Sequence, residues 1–163
     1  MDETIKRLLV EAELKILAAG SVFSVQDFSV SLSKKQLLSF LSPYLDQGEV
    51  GLVVPNIYYK VKFSNLFNPP KALPPDLSKV LAALTRLTGE SFQYDGGYCA
   101  NRLGLSTQIP LYHVLHTSGR SRRFKLAGVD VVLNHMDVKL IKAIKDQLSL
   151  EEYAKLLSAD LPK

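Results

Sequence analysis

The chain has 163 residues, of which 47 % are hydrophobic, and a formal net charge of +4. This length allows one well-buried core or two small ones, and the composition excludes a disordered tail. The single cysteine, Cys99, cannot form an intramolecular disulfide, and charged residues interrupt the apolar positions of the N-terminus. We therefore expect a cytoplasmic protein without a secretory or membrane-spanning segment. The mild positive charge permits an anionic partner without identifying one.

The first helical signal is an apolar stripe near the N-terminus. Its members are Ile5, Leu8, Leu9, Ala12 and Ile16. They recur at helical spacing with charged residues between them, and Gly20 follows as a stop. This pattern predicts an amphipathic first helix.

Two capping-box pairs predict the next two helices. Ser24 with Asp27 predicts a short second helix, and Ser33 with Gln36 predicts the start of a third. The apolar face of the third helix is formed by Leu37, Leu38, Leu41, Tyr44 and Leu45. Pro43 lies inside this helix and is expected to kink or shorten it, because proline removes a backbone donor and clashes one turn back.

Two β-strands at 50–54 and 57–62, joined by a turn at Pro55 and Asn56, predict a hairpin after the third helix. Helix, short helix, helix and hairpin is the order of a winged helix-turn-helix, whose third helix enters the major groove while the hairpin contacts phosphates. The candidate DNA-binding residues are therefore Lys34, Lys35, Gln36, Ser39, Ser42, Asn56 and Lys60. The competing interpretation is a small helical scaffold with a solvated polar face. Residues 51–56 are mostly apolar, and residues 1–75 carry eight Lys or Arg against seven Asp or Glu, so few phosphate contacts are expected.

Prolines separate the two halves of the chain. They are Pro69, Pro70, Pro74 and Pro75. Proline forbids helix and favours extended backbone, so residues 65–75 are predicted to form a semi-rigid connector. The predicted domains are a winged helix-turn-helix at 1–64 and a second domain at 76–163.

The second half predicts a mixed domain. A helical stripe from Leu77 to Leu87 ends at Gly89, and short strands follow at 92–94, 111–117 and around Phe124. The strand at 111–117 is expected to turn at Ser118 and Gly119 and to return through Phe124 and Leu126. A further strand at 129–133, a helix through Val138 and Ile141 to Leu148, and a last helix capped by Ser149 with Glu152 complete the domain. The predicted class is α+β, with a small and mainly antiparallel sheet.

A cluster of basic residues marks the returning strand. Its members are Arg120, Arg122, Arg123 and Lys125. Two interpretations stay open: the cluster blocks edge-to-edge pairing of the sheet, or it binds an acidic partner. Residues 76–163 carry twelve Lys or Arg against nine Asp or Glu, so most of the positive excess lies in this half.

The residues favour no enzyme chemistry. His113 and His116 lie three apart on a strand and point to opposite faces, and neither Cys99 nor His135 completes a metal-ligand spacing. No glycine pair is followed by the Lys and Ser or Thr of a phosphate-binding loop. We predict no catalytic residues, no metal and no cofactor.

Residues 100–110, which read ANRLGLSTQIP, resemble the central motif of the AbiEi-type antitoxins, and the likeness extends to Gly96 and Gly97 upstream and to 121–123 downstream. Proteins of this bacterial family join an N-terminal winged helix-turn-helix to a C-terminal antitoxin domain, and they are encoded beside a nucleotidyltransferase-like toxin. The resemblance implies an antitoxin that represses its own promoter and counteracts the toxin, directly or functionally. The alternative is an interaction module whose apolar hairpin binds another protein. Whether one copy or a dimer occupies the DNA stays open at this point.

Overall fold

The computed structural model of the chain describes residues 1–94 and 112–147, with the backbone alone for 144–147. Contacts divide the chain into two units, Met1–Gly89 and Glu90–Lys163. The described residues form helices and several small sheets, so the predicted α+β class is confirmed. None of the described helices is long and apolar enough to cross a bilayer.

The elements of the first unit run in the order helix, strand, 3-10 helix, helix, four strands and helix. They are α1 (Glu3–Ile16), β1 (Val22–Phe23), the 3-10 helix η1 (Val25–Asp27), α2 (Lys34–Asp46), β2 (Val50–Val54), β3 (Ile57–Lys60), β4 (Lys62–Ser64), β5 (Lys71–Leu73) and α3 (Leu77–Thr88). Strands β1, β3 and β2 form one antiparallel sheet in that order, while β4 and β5 form a separate two-stranded sheet. The core lies between α1, α2 and the three-stranded sheet. Its buried residues are Val10, Leu14, Phe23, Phe28, Val30, Leu37, Phe40, Leu41, Val50 and Tyr58.

Aromatic side chains form the centre of this core. The ring of Phe23 meets Phe28 edge-on at 5.7 Å and stacks on Tyr58 at 6.1 Å between centroids. Both arrangements are favourable aromatic geometries, so β1, β3 and the segment after η1 are held around one ring. Burial raises the pKa of the Tyr58 hydroxyl above its ordinary value.

The face of α1 that packs against the core is not the apolar stripe identified in the sequence. Val10 and Leu14 are buried, whereas Ile5, Leu8 and Ile16 are exposed. The helix itself is confirmed, and it ends at Ile16 rather than at Gly20. The apolar stripe of α1 therefore lies outside the core of the first unit.

Both predicted capping boxes are present. Ser24 and Asp27 exchange side-chain and backbone hydrogen bonds at η1, and Ser33 and Gln36 do the same at α2. These bonds satisfy backbone donors that helix geometry leaves without partners. The expectation that Pro43 shortens α2 is wrong, because the helix continues to Asp46.

The hairpin β2–β3 follows the predicted strands, although β3 ends at Lys60 and not at residue 62. Asn56 turns the chain with φ at +70°, a left-handed conformation that asparagine tolerates better than most residues. Gly51 pairs with Tyr59, whose ring lies where a Cβ on Gly51 would be. A side chain at position 51 would therefore displace that ring.

The region predicted as an extended connector contains structure. Strand β5 pairs antiparallel with β4, so Lys62 opposes Leu73 and Ser64 opposes Lys71. Helix α3 then packs against β1, β3 and η1, and Gly89 ends it with φ at +77° and a hydrogen bond to Thr85. The first unit thus extends to Gly89, beyond the boundary expected near residue 76. The prolines predict a boundary before α3, whereas the contacts of α3 with β1, β3 and η1 include this helix in the first unit.

The described part of the second unit is a four-stranded sheet with one helix. Its elements are β6 (Phe92–Tyr94), β7 (His113–Thr117), β8 (Arg122–Leu126), β9 (Val129–His135) and α4 (Val138–Gln147). The strand order is β6-β7-β9-β8. The β6–β7 and β8–β9 pairs are antiparallel, while β7 and β9 are parallel.

The expectation that β7 turns back directly onto β8 is wrong. Strand β9 lies between them, and the tight hairpin is β8–β9, which turns at Ala127 and Gly128 with φ of +53° and +79°. Two consecutive positive φ values match the twist of a two-residue hairpin. The buried residues Leu115, Val131 and Leu133 lie on these central strands, so core packing favours β9 in the middle.

Some sequence predictions lie outside the described residues. They concern Gly96 and Gly97, Cys99, the segment 100–110, and the last helix capped by Ser149 with Glu152.

Candidate DNA interface and basic strand

The candidate reading face is the exposed side of α2. Lys34, Lys35, Ser39 and Ser42 are all exposed, while Leu37, Phe40 and Leu41 on the other side are buried at 2 % exposure or less. The helix is therefore held to its unit by one face and presents the other to solvent. Leu38, predicted on the apolar face, is 49 % exposed and lies among these polar groups.

Gln36 serves the helix as well as the candidate face. Its side-chain oxygen accepts a hydrogen bond from the Ser33 backbone N–H at 3.0 Å, and the Ser33 hydroxyl accepts from the Gln36 backbone N–H at 3.1 Å. The oxygen is thus engaged in the cap, although the amide NH₂ group of the side chain can still donate. Replacing Gln36 would alter the start of α2 together with any base contact.

Lys60, predicted to contact DNA, is placed by the structure at the end of α1. Its Nζ donates to the carbonyl oxygens of Leu14, Lys15 and Leu17 at 3.0, 3.2 and 2.7 Å. The last carbonyls of a helix lack partners within it and carry the negative end of the helix dipole. The three donors of this ammonium group therefore have partners within the first unit, which a DNA contact would have to displace.

The hairpin that would act as the wing is poor in polar groups. Asn56 is half-buried at its turn, and Leu52 is 57 % exposed. Among residues 50–57 the only polar side chain is that of Asn56, and none is charged. The tip of the hairpin therefore offers mainly apolar groups to a partner.

Two lysines that the sequence did not single out converge on one cleft of the first unit. Lys62 and Lys79 line it together with Gly20, Tyr59 and Asp76. Seventeen positions separate the two lysines in the chain, so no local spacing indicates their approach. Asp76 caps α3, and its hydrogen bonds with Ser78 hold the pKa of the carboxyl below its ordinary value.

The basic cluster of the second unit is divided by its strand. In β8, Arg122 is half-buried, whereas Arg123 and Lys125 are exposed on the other face. Arg120 precedes the strand and is exposed too. Strand β8 is an edge of the sheet, as the sequence predicts.

Arg122 forms a bidentate ion pair with Glu90. Its Nη1 and Nη2 each lie 2.9 Å from an oxygen of Glu90, and the two side chains are 26 % and 14 % exposed. The hydroxyl of Thr117, which is fully buried, donates to the same carboxylate at 2.7 Å. This bidentate arrangement gives Arg122 a structural partner, so it is not part of a free basic surface.

The neighbouring turn is built around the same groups. The Gly119 N–H donates to the Thr117 hydroxyl at 3.0 Å, and a Cβ on Gly119 would overlap the Glu90 side chain. His135 Nδ1 lies 2.7 Å from the Gly119 carbonyl oxygen. A carbonyl only accepts, so Nδ1 carries the proton that it donates. The turn is thus fixed from both sides.

The exposed basic groups of β8 have only weak partners. Lys125 lies 3.8 Å from Asp130, and its side chain is 73 % exposed, so this contact restrains it little. Arg120, Arg123 and Lys125 therefore remain accessible to an acidic partner. Within residues 1–94 and 112–147, no three His, Cys, Asp or Glu side chains are grouped so that they could hold a metal ion.

Comparison with known proteins yields one family. Residues 9–154 match the model of a family of unknown function, DUF6088. No curated protein and no solved structure matches the chain.

Proposed function

The chain belongs to the DUF6088 family, a family of unknown function, and from its own residues we propose that it is an antitoxin and transcriptional autorepressor. In this proposal the first unit is a winged helix-turn-helix that binds the promoter of its own operon. The second unit counteracts a nucleotidyltransferase-like toxin. The proposed activity involves no catalysis.

The observation that carries the DNA-binding proposal is the exposed face of α2. This helix follows the short helix η1 and precedes the hairpin β2–β3, and the three strands pair in the order β1-β3-β2. A helix so anchored can place Lys34, Lys35 and Ser39 near base edges and phosphates in the major groove. The order of elements and the polarity of this face together support the proposal.

The charges of the first unit set the expected strength of binding. Lys34, Lys35, Lys62 and Lys79 are exposed lysines of this unit, whereas Lys60 is used at the end of α1. Each neutralised phosphate contributes about −0.9 to the slope of log affinity against log salt, so contacts from these four lysines give a slope of about −4 for one copy. Binding should be weak for a single copy and should depend on base contacts for its preference.

A mobility-shift titration of the full chain against its promoter and a scrambled duplex tests this proposal. We expect tighter binding to the promoter, and the variant Lys35→Ala with Ser39→Ala should lose this preference. Lys139→Ala removes one exposed charge from the second unit and should keep the preference. Equal binding of the wild type to both duplexes would reject operator recognition.

The antitoxin part of the proposal is supported by the resemblance of residues 96–123 to AbiEi-type antitoxins and by the accessible Arg120, Arg123 and Lys125. The proposal expects a nucleotidyltransferase-like toxin to be encoded beside this protein, and co-expression with that toxin measures growth rescue. Arg123→Glu with Lys125→Glu should abolish rescue while the protein stays folded, and Lys139→Glu serves as the control. Undiminished rescue by the charge-reversed protein would exclude this surface as the contact.

A second candidate function is a protein-interaction module. It is favoured by exposed apolar groups on both hairpins of the first unit: Leu52 on β2, Phe63 on β4, and Phe67 in the turn that follows, which are 57 %, 51 % and 47 % exposed. Under this alternative, Leu52→Glu would abolish toxin rescue while the α2 variants would not. The two functions therefore respond to different substitutions.

A further inference from the structure

An apolar stripe on α1 faces away from its own unit. Ile5, Leu8, Leu9 and Ile16 are 49 %, 60 %, 37 % and 83 % exposed, and Ala12 between them is exposed too. The residues that face the core, Val10 and Leu14, are 1 % and 4 % exposed. Helix α1 is thus apolar on two opposite sides, and only one side is covered by the described chain.

The stripe differs from scattered surface leucines. Single exposed apolar residues are ordinary in proteins, but each of these five has another member of the stripe three or four residues away along the helix. Contiguous apolar surface of this kind marks a contact site. We propose that α1 is the interface of a homodimer, in which the stripe of one copy packs antiparallel against the stripe of a second copy.

Charge complementarity supports a second copy as the occupant. Lys6 and Glu13 are seven residues apart and flank the stripe on one side. Glu13 also accepts hydrogen bonds from the Ser29 backbone N–H within its own unit, at 3.1 and 3.3 Å, and an ionised carboxylate has further lone pairs for a second donor. An antiparallel two-fold pairing brings Lys6 of each copy opposite Glu13 of the other, and the side chains of the two stripes then interleave around Leu9. Because the dimer has two-fold symmetry, every such contact occurs twice in the interface.

The charge balance of α1 disfavours other occupants. The helix carries three acidic and three basic side chains, whereas a helix that lies on an anionic membrane needs a mainly basic polar face. A nucleic acid would need the same excess. Balanced charges on both flanks match a copy of the same helix.

The available area decides how stable this dimer is. Helix α1 has 14 residues and is about 21 Å long, so the pair buries less than the roughly 800 Å² per partner of a standard interface. We therefore expect a dimer that dissociates on dilution. The dimer requires nothing from DNA binding, although it would place two α2 helices on one two-fold site if the proposed function holds.

Sedimentation of the full chain over a range of micromolar concentrations, without DNA, tests the dimer. The mass should rise from 18.1 kDa towards twice that value, and Leu8→Glu with Ile16→Glu should stay monomeric at every concentration. Leu66→Glu is the matched control, because Leu66 is 92 % exposed in the same unit but lies far along the chain from α1. A wild type that remains monomeric throughout would overturn the proposal.

Thermal unfolding of the same variants addresses the case in which the chain covers its own stripe. The monomeric variant should unfold close to the temperature of dilute, monomeric wild type, because Leu8 and Ile16 are mostly exposed in the monomer. A large loss of stability in dilute Leu8→Glu with Ile16→Glu would show that the stripe belongs to an internal contact, and would reject the dimer.

Cysteine cross-linking tests the orientation of the two helices. In the proposed dimer, position 9 lies next to the two-fold axis. In a Cys99→Ser background, Leu9→Cys should therefore form a disulfide-linked dimer under mild oxidation. Ile16→Cys should not, because the two copies of position 16 lie at opposite ends of an antiparallel pair. Equal cross-linking of both variants would indicate a parallel pair and contradict the proposed arrangement.

Discussion

Lys60 shows that a side chain can have partners which its neighbours in the chain do not indicate. It lies in the hairpin after the predicted reading helix, where a lysine would suit a phosphate contact. Its Nζ instead donates to three carbonyls at the end of α1, and 46 positions separate it from the first of them, Leu14. The tertiary fold thus gives Lys60 a structural role that its position in the hairpin does not indicate.

We predict that Lys60→Met destabilises the protein by about 1 to 3 kcal/mol, because hydrogen bonds to a charged donor are worth roughly that much. Chemical denaturation measures the change. Lys62→Met, an exposed neighbour on β4, should change stability by less than about 0.5 kcal/mol. Equal stability of both variants would mean that the contacts of Lys60 contribute nothing net.

At the scale of the element, α2 depends on its first turn. The reciprocal bonds of Ser33 and Gln36 start the helix that carries the candidate reading face. Four backbone N–H groups at a helix start lack partners within the helix, so a cap sets where the helix begins.

We predict that Ser33→Ala costs about 1 kcal/mol of unfolding free energy. Ser42→Ala, on the exposed side of the same helix, should be close to neutral. The same variant distinguishes a role of Ser33 in capping α2 from a direct contact with DNA. If Ser33 acts only as the cap, a DNA-binding defect in Ser33→Ala should disappear when stability is restored by lower temperature. A defect that persists in a fully folded Ser33→Ala would make its hydroxyl part of the interface.

Strand β8 provides a second test within one element, since its two faces carry arginines with different surroundings. Arg122→Met leaves Glu90 half-buried without its main partner, so we predict a loss of about 2 to 3 kcal/mol. Arg123→Met, on the exposed face, should cost less than about 0.5 kcal/mol. Thermal or urea unfolding of both variants checks the difference, and similar losses for the two would contradict the division of the strand.

At the scale of the whole molecule, α3 decides where the first unit ends. Its residues Leu77, Val80, Leu81, Ala83 and Leu84 are at most 9 % exposed. Arg86 donates to Asp27 at 2.6 Å and to the Val22 carbonyl at 3.2 Å. The helix therefore contributes apolar burial and polar contacts to the unit that precedes it.

We predict that a chain of residues 1–89 folds cooperatively, whereas a chain of residues 1–75 does not. The shorter chain lacks α3 and leaves the surface of β1 and β3 that it covers in contact with water. Circular dichroism with thermal unfolding distinguishes the two. If residues 1–75 unfolded cooperatively at the same midpoint temperature as residues 1–89, the boundary of the first unit would lie in the proline-rich segment.

Several elements follow from the sequence because their signals are local. The caps at Ser24 and Ser33, the stop at Gly89 and the alternation in β7 and β9 each involve residues within a few positions of one another. The exposed Lys34, Lys35, Ser39 and Ser42 follow from the same helical periodicity, so this part of the candidate site is accessible to sequence reasoning.

Only the tertiary structure decided which surfaces those elements bury. Glu90 meets Arg122 across 32 positions, and β9 lies between β7 and β8, because packing selects among pairings that the sequence pattern permits equally. The stripe on α1 is another feature whose burial the sequence pattern does not decide. A helical pattern indicates that one side of a helix is apolar, but the pattern is identical whether that side is covered by the same chain or by a second copy. Here the core of the unit takes Val10 and Leu14 and leaves the stripe exposed, because the fold around α2 and the sheet fixes which side of α1 turns inward.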